Sequence, residues 1–258
     1  MSEEEIDDSR APLLDHLIEL RSRLIRSFIG LGLCFAVCLY FSRPIFAFLV
    51  QPLLRAGQGK LVYTELFEAF FVQVKVAFFA GAMLAFPIIA NQIWQFVAPG
   101  LYKKEKRAVL PFIWATPVLF LMGASLAYFV AIPMALHYLL SFQGNLGGVQ
   151  QEALPAMGNY LNFIMQFMFG FGIAFLMPVL LMLMERAGIV TRTQLVQFRR
   201  YAIVANTAIA AVLAPPDVGS MILLGVPLIL LYEVALIGIW FTERRRARTE
   251  AISAAVVE

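Results

Sequence analysis

Apolar residues in this chain come in long runs separated by short charged stretches, and the runs set the expected elements. The first extends from about Leu24 to Phe41 and stops at Ser42-Arg43-Pro44. A helix that crosses the hydrocarbon core of a bilayer needs about 20 mostly apolar residues, so this run is just long enough. The second begins near Phe70 and carries no charge between Lys75 and Lys103. From Ala108 to Gln151 there are 44 residues without a charge, too many for one helix. That stretch reads as a span to about Ser141 followed by an uncharged loop, marked by the turn formers Gln143-Gly144-Asn145-Leu146-Gly147-Gly148. A fourth span fits Tyr160 to Met184, closed by Glu185-Arg186. The last run, Tyr201 to Phe241, is broken by Pro215-Pro216-Asp217. Two successive prolines remove two backbone donors and stop the incoming helix, and Asp217 suits the N-cap of the next. Two short spans joined by a tight hairpin follow. The fifth, about Gln197 to Leu213, is at the short limit and calls for a thinned bilayer beside it.

Composition turns these runs from buried soluble helices into membrane spans. Hydrophobic residues make up 61% of the 258 and charged residues 14%, against about 45–50% and about 25% in soluble chains. A compact domain of this size has no means of hiding that much apolar surface from water. Charge then orients the spans. The N-tail (Arg10, Arg21, Arg23, Arg26), the 2–3 loop (Lys103, Lys104, Lys106, Arg107), the 4–5 loop (Arg186, Arg192, Arg199, Arg200) and the C-tail (Arg244, Arg245, Arg246, Arg248) hold 16 of the 20 Lys and Arg. Lys and Arg accumulate on the cytoplasmic side, so both termini are expected there, with the 42–69 and 142–159 loops outside. The expected architecture is an all-α integral membrane protein with six transmembrane helices. Residues 1–23 form a cytoplasmic N-tail with an amphipathic helix, 24–241 the spans, and 242–258 a cytoplasmic C-tail, in a single bundle. The N-terminus opens Ser2-Glu3-Glu4-Glu5, the opposite of a basic signal-peptide n-region, so no cleavable signal peptide is expected. No internal repeat is apparent.

Candidate chemistry is sparse. Cys34 and Cys38, four apart in an apolar segment, read as small packing residues. The two histidines, His16 and His137, belong to opposite sides of the membrane and cannot sandwich a haem. No Walker loop, metal-ligand spacing or serine elbow is present, so neither an enzyme nor a cofactor or metal is expected. A net charge of +3 in short scattered clusters disfavours nucleic acid as a partner. A few acids in unusual places remain. In the N-tail, Leu13, Leu17, Leu20 and Leu24 recur at helical spacing, giving an amphipathic helix that lies on the membrane surface before the chain turns in. There Glu19 reads either as an i,i+4 partner of Arg23 or as a ligand-binding group. Glu105 is the lone acid among the cations of the 2–3 loop, suited either to local charge balance or to a cationic ligand. Asp217 and Glu233 lie in apolar surroundings, where ionisable residues are costly and default to functional candidates. Lys75 in the second span is a possible partner for Glu233, or snorkels to the interface. A secondary transporter using Asp217, Glu233 and Lys75 as a relay is the rival reading, weakened by the lack of repeats.

Three segments carry a resemblance. They are His16-Leu17-Ile18-Glu19-Leu20-Arg21-Ser22-Arg23, Ala98-Pro99-Gly100-Leu101-Tyr102-Lys103-Lys104-Glu105-Lys106-Arg107, and Ala214-Pro215-Pro216-Asp217-Val218. Together with Ala127-Tyr128-Phe129-Val130 and Leu231-Tyr232-Glu233 they closely resemble the TatC family, the multispanning core of the twin-arginine protein translocase. The resemblance runs in order from about Leu13 to Phe241. It implies a receptor in the cell inner membrane that binds signal peptides bearing paired arginines and organises single-span TatA/TatB-type subunits, and further copies of itself, for export of folded proteins. It assigns the arginine contacts to Glu19 and Glu105, with His16, Leu20, Arg21, Arg23, Pro52, Pro99 and Tyr102 as motif or supporting positions. Two surface carboxylates suit two guanidinium forks through charge-assisted bonds. One position departs: Leu176 stands where the family often has Glu or Gln, which removes a hydrogen bond expected to reach a partner helix.

Overall fold

The computed structural model describes the backbone of residues 3–63, 65–101, 110–146, 149–151, 153–186, 188–213 and 218–257. Side chains are described within 17–244, except at 64, 97–112, 145–152, 187 and 213–217. The elements, in order, are α1 (Glu3–Tyr40), α2 (Ser42–Arg55), α3 (Glu68–Leu101), α4 (Leu110–Leu126), α5 (Ile132–Leu140), β1 (Gly144–Leu146), β2 (Val149–Gln151), α6 (Met157–Ala174), α7 (Met177–Arg186), α8 (Arg192–Gln197), α9 (Arg199–Leu213) and α10 (Val218–Val257).

Five helices among the described residues are long and apolar enough to cross a membrane: Leu17–Tyr40, Glu68–Phe96, Ile113–Leu140, Met157–Arg186 and Val218–Arg244. These match five of the six expected runs. The remaining run is α9, whose 15 residues span about 22 Å at 1.5 Å per residue, short of the ~30 Å hydrocarbon core. Only one of the two final runs is therefore short, since α10 extends over 40 residues.

The structure corrects the expected boundaries at four places. The N-terminal amphipathic helix does not turn into the first span, because α1 is one helix of 38 residues. Between Leu13 and Ile29 there is neither Gly nor Pro, so nothing interrupts its hydrogen-bond ladder. The 42–69 segment, expected as a loop, begins with a helix. In α2, Ser42, Leu49, Pro52 and Leu53 are buried and Ile45 is half-buried, a 3.6-residue stripe that a search for 20-residue runs overlooks. The uncharged 142–159 segment contains an antiparallel hairpin, β1 with β2, pairing Gly144 with Gln151 and Leu146 with Val149, a small departure from an all-α chain. Finally, the C-tail continues α10 as helix to Val257.

Prolines shape the long spans. Between α4 and α5 the residues Ala127–Ala131 form a π-helical turn, with the Ile132 N–H donating to the Ala127 carbonyl five residues back. Pro133, which has no N–H and displaces the carbonyl four residues earlier, follows at once. Pro178 follows a break of the opposite kind between α6 and α7, where the Leu176 N–H donates to the Ile173 carbonyl in a tightened turn (2.9 Å). The described part of α9 ends at Leu213 and that of α10 begins at Val218, and the break expected at Pro215-Pro216 lies outside the described residues.

The chain divides into two compact units. The first comprises Met1–Phe48 and Phe70–Pro117. Here α1 and α3 approach closely at Gly81, where a Cβ would lie 2.8 Å from the Phe35 Cα, and Phe35 packs edge-to-face on Phe78. The buried Trp94 Nε1 donates to Thr116 Oγ1 at 2.7 Å, tying α3 to the start of α4. The second unit comprises Leu49–Ala69 and Val118–Glu258. Its core holds Phe120, Ile132, Leu161, Ile164, Phe167, Phe171, Leu224, Leu228 and Ile239, all essentially without solvent exposure. Small residues let these helices close up, as is usual where apolar lipid supplies no drive for association. A Cβ at Gly172 would come within 2.6 Å of the Phe120 ring. Lower in the same unit, Tyr232 Oη donates to the Leu195 carbonyl at 2.7 Å and joins α10 to α8.

Candidate functional site

The site is built on the first turns of the α1 span. Because Glu19 and Arg23 are four residues apart on an unbroken helix, with the acid N-terminal, their side chains meet on one face. Arg23 donates to Glu19 Oε1 through Nε at 3.0 Å and Nη2 at 2.5 Å. Its remaining Nη1 donates to Gln95 Oε1 on α3 at 2.7 Å. Gln95 Nε2 in turn donates to Asn91 Oδ1, one turn earlier, at 3.1 Å. A chain of four polar side chains thus links α1 to α3 within the first unit. Arg23 is the more enclosed of the pair at 17% exposure, against 38% for Glu19. Leu20 and Arg21 are exposed beside them.

Of the other expected site residues, Glu105, Tyr102 and Asp217, with the side chains of His16 and Pro99, lie outside the described residues. Pro52 belongs to the second unit, on the buried face of α2. One turn from it, the Leu49 carbonyl accepts a hydrogen bond from the buried Tyr160 Oη at 3.0 Å. Leu176 is half-buried in the turn between α6 and α7. The described residues contain no group of three or more His, Cys, Asp or Glu arranged to hold a metal ion.

Glu233 Oε2 accepts from Arg199 Nη2 at 2.9 Å, with both side chains part-exposed. The reason is hairpin geometry: α9 and α10 run antiparallel, so 14 residues back from Leu213 reaches Arg199 while 15 forward from Val218 reaches Glu233. That count was available in the sequence. Lys75 is exposed two turns into α3, within snorkelling reach of that helix end.

Sequence reasoning also missed Glu68. As the first residue of α3 it looks like a local dipole partner. In the structure its Oε1 instead accepts the Gly158 N–H at the start of α6, at 2.7 Å, capping a helix 90 residues away. The Met157 N–H donates to the Val62 carbonyl at 2.8 Å beside it. No local pattern signals either bond. Gln95 was equally silent, since only packing brings it to Arg23.

Residues 15–227, most of the chain, match the family model for the Sec-independent protein translocase protein TatC. The chain belongs to the TatC family. A TatC protein of Magnetococcus marinus is 45% identical over 246 residues, covering 95% of this chain and 89% of that protein. The Aquifex aeolicus TatC is 38% identical over 228 residues, covering 87% and 93%. A crystal structure of the twin arginine translocase receptor TatC in DDM superposes with a TM-score of 0.78 at 37% identity, covering 86% of this chain and 98% of that one. This TatC chain is accordingly a multi-pass membrane protein and a component of a Sec-independent protein translocase, a transport protein and not a member of a catalytic family.

Proposed function

We propose that this TatC chain is the signal-peptide receptor of a twin-arginine translocase in the cytoplasmic membrane. In this reading Glu19 and Glu105 bind the paired arginines, and single-span TatA/TatB-type subunits assemble around the receptor. The observation that carries it is the Glu19 carboxylate, which is part-exposed and already chelates a guanidinium through two N–H donors. An arginine ligand brings the same fork. Family membership supports the rest, together with the clustering of 16 of the 20 Lys and Arg in segments that alternate along the chain. Six crossings place both termini in the cytoplasm, with α9 crossing where the bilayer thins.

Binding of a labelled twin-arginine peptide to the full chain in detergent micelles tests the site. Glu19→Ala and Glu105→Ala are each expected to weaken binding by about one to two decades, the worth of one charge-assisted bond. Affinity that is unchanged in both variants removes these glutamates from the site. Reporter fusions test the topology. Those after Gly57 and Gly148 read as external and one after Arg245 as internal, and opposite locations for the two termini overturn the six-span arrangement.

A further inference from the structure

Glu19 does not stand open for a ligand, because it already holds an arginine of its own chain. Arg23 fixes three of its donors at once: Nε and Nη2 on Glu19 Oε1, and Nη1 on Gln95 Oε1. A signal-peptide arginine that reaches Glu19 meets a resident guanidinium of identical shape and charge. Both Arg23 contacts fall on Oε1, so a ligand guanidinium that takes that oxygen exchanges with the resident one. Acceptors for the displaced group stand beside it. Gln95 Oε1 already accepts from Arg23, and Asn91 supplies a second amide one turn away, itself bonded to Gln95.

We propose that Arg23 is an internal competitor for the Glu19 carboxylate, and that Gln95 and Asn91 on α3 keep it beside the site when a ligand arginine takes its place. The proposal rests on the reading of Glu19 as a ligand-binding group. It makes Arg23 an affinity-setting residue. The fraction of molecules with Glu19 released scales the apparent affinity of every ligand that needs that carboxylate. Competition of this kind multiplies all such affinities by one factor and leaves their ratio alone. A residue that props Glu19 in place would instead lose affinity on removal, and a residue that selects between ligands would change the ratio.

The test measures binding of a twin-arginine peptide and its twin-lysine counterpart to the full chain in micelles, in the wild type and in Arg23→Gln, Arg23→Lys and Glu19→Gln. Removing the competitor in Arg23→Gln is expected to tighten both peptides by about two- to fivefold, the range of a part-exposed ion pair, with their ratio unchanged. Arg23→Lys keeps the charge but loses the fork, and is expected to fall between wild type and Arg23→Gln. Weaker or unaltered binding in Arg23→Gln overturns the proposal, as does a changed peptide ratio. Arg23→Lys binding like wild type while Arg23→Gln binds tighter also overturns it, because charge alone then accounts for the gain. Glu19→Gln separates the two levels: lost affinity there with no gain in Arg23→Gln sinks the competitor alone, whereas unchanged affinity there sinks the receptor reading with it.

Discussion

Glu19 and Glu68 each lie near the start of a membrane-long apolar stretch, Glu19 inside the continuous α1 and Glu68 as the first residue of α3, and each carboxylate accepts nitrogen donors, yet their partners differ in kind. Glu19 holds a side chain, Arg23, on its own helix, with a second acceptor for that side chain close by. Glu68 holds a backbone N–H at the start of another helix, closed in by Gly158, where a Cβ would come within 2.9 Å of Oε1. A side-chain donor rotates away at the cost of a few rotamers, so its carboxylate is open to exchange. A backbone donor leaves only if the helix start unravels, so its carboxylate is structural. With Glu19 read as proposed, the mobility of the partner, more than the charge of the acid or its place in the span, separates a binding group from a structural one.

The comparison breaks most readily at Glu19. Glu19→Gln is expected to lower twin-arginine peptide affinity by about one to two decades while the melting temperature in micelles stays at the wild-type value. A large drop in melting temperature would place Glu19 beside Glu68 as a structural acid. The reverse pattern is expected for Glu68→Ala, which removes a capping acceptor from α6 and costs about 1–2 kcal/mol of stability, with peptide affinity unaltered. Gly158→Ala sharpens this further. Its Cβ meets the end of a flexible side chain, so the expected loss is about 1 kcal/mol or less, and it should vanish in the Glu68→Ala background because the two share one contact. Smallest of all is Glu233→Gln. Its partner Arg199 is half-exposed, and such pairs contribute about 0–1 kcal/mol. Export abolished in this variant with the protein folded and abundant would move Glu233 out of the structural class.

Burial shows the same limit on hydropathy as a guide. The apolar window of the α1 span is 6% buried within the chain, and that of Met157–Arg186 is 50% buried, although both read as spans. Lipid tails are as apolar as a helix neighbour, so hydropathy does not distinguish a face against lipid from one against protein. The small residues at close approaches, Gly81 and Gly172, make that distinction, and their partners are known only once the helices are packed.

The order and lengths of the apolar runs and the i,i+4 meeting of Glu19 with Arg23 were determined by the sequence, because each depends on residues near one another along the chain. The Arg199–Glu233 pair was also within its reach, since antiparallel neighbours joined by a short turn have a countable register. The continuity of α1 was legible too, in the absence of Gly and Pro between Leu13 and Ile29, where helix propagation outweighed the amphipathic pattern. Tertiary structure alone decided that Gln95 receives Arg23 and that Glu68 caps α6. In both the bond joins residues far apart, 72 and 90 positions, and no local periodicity encodes a contact that only the packing of long helices creates.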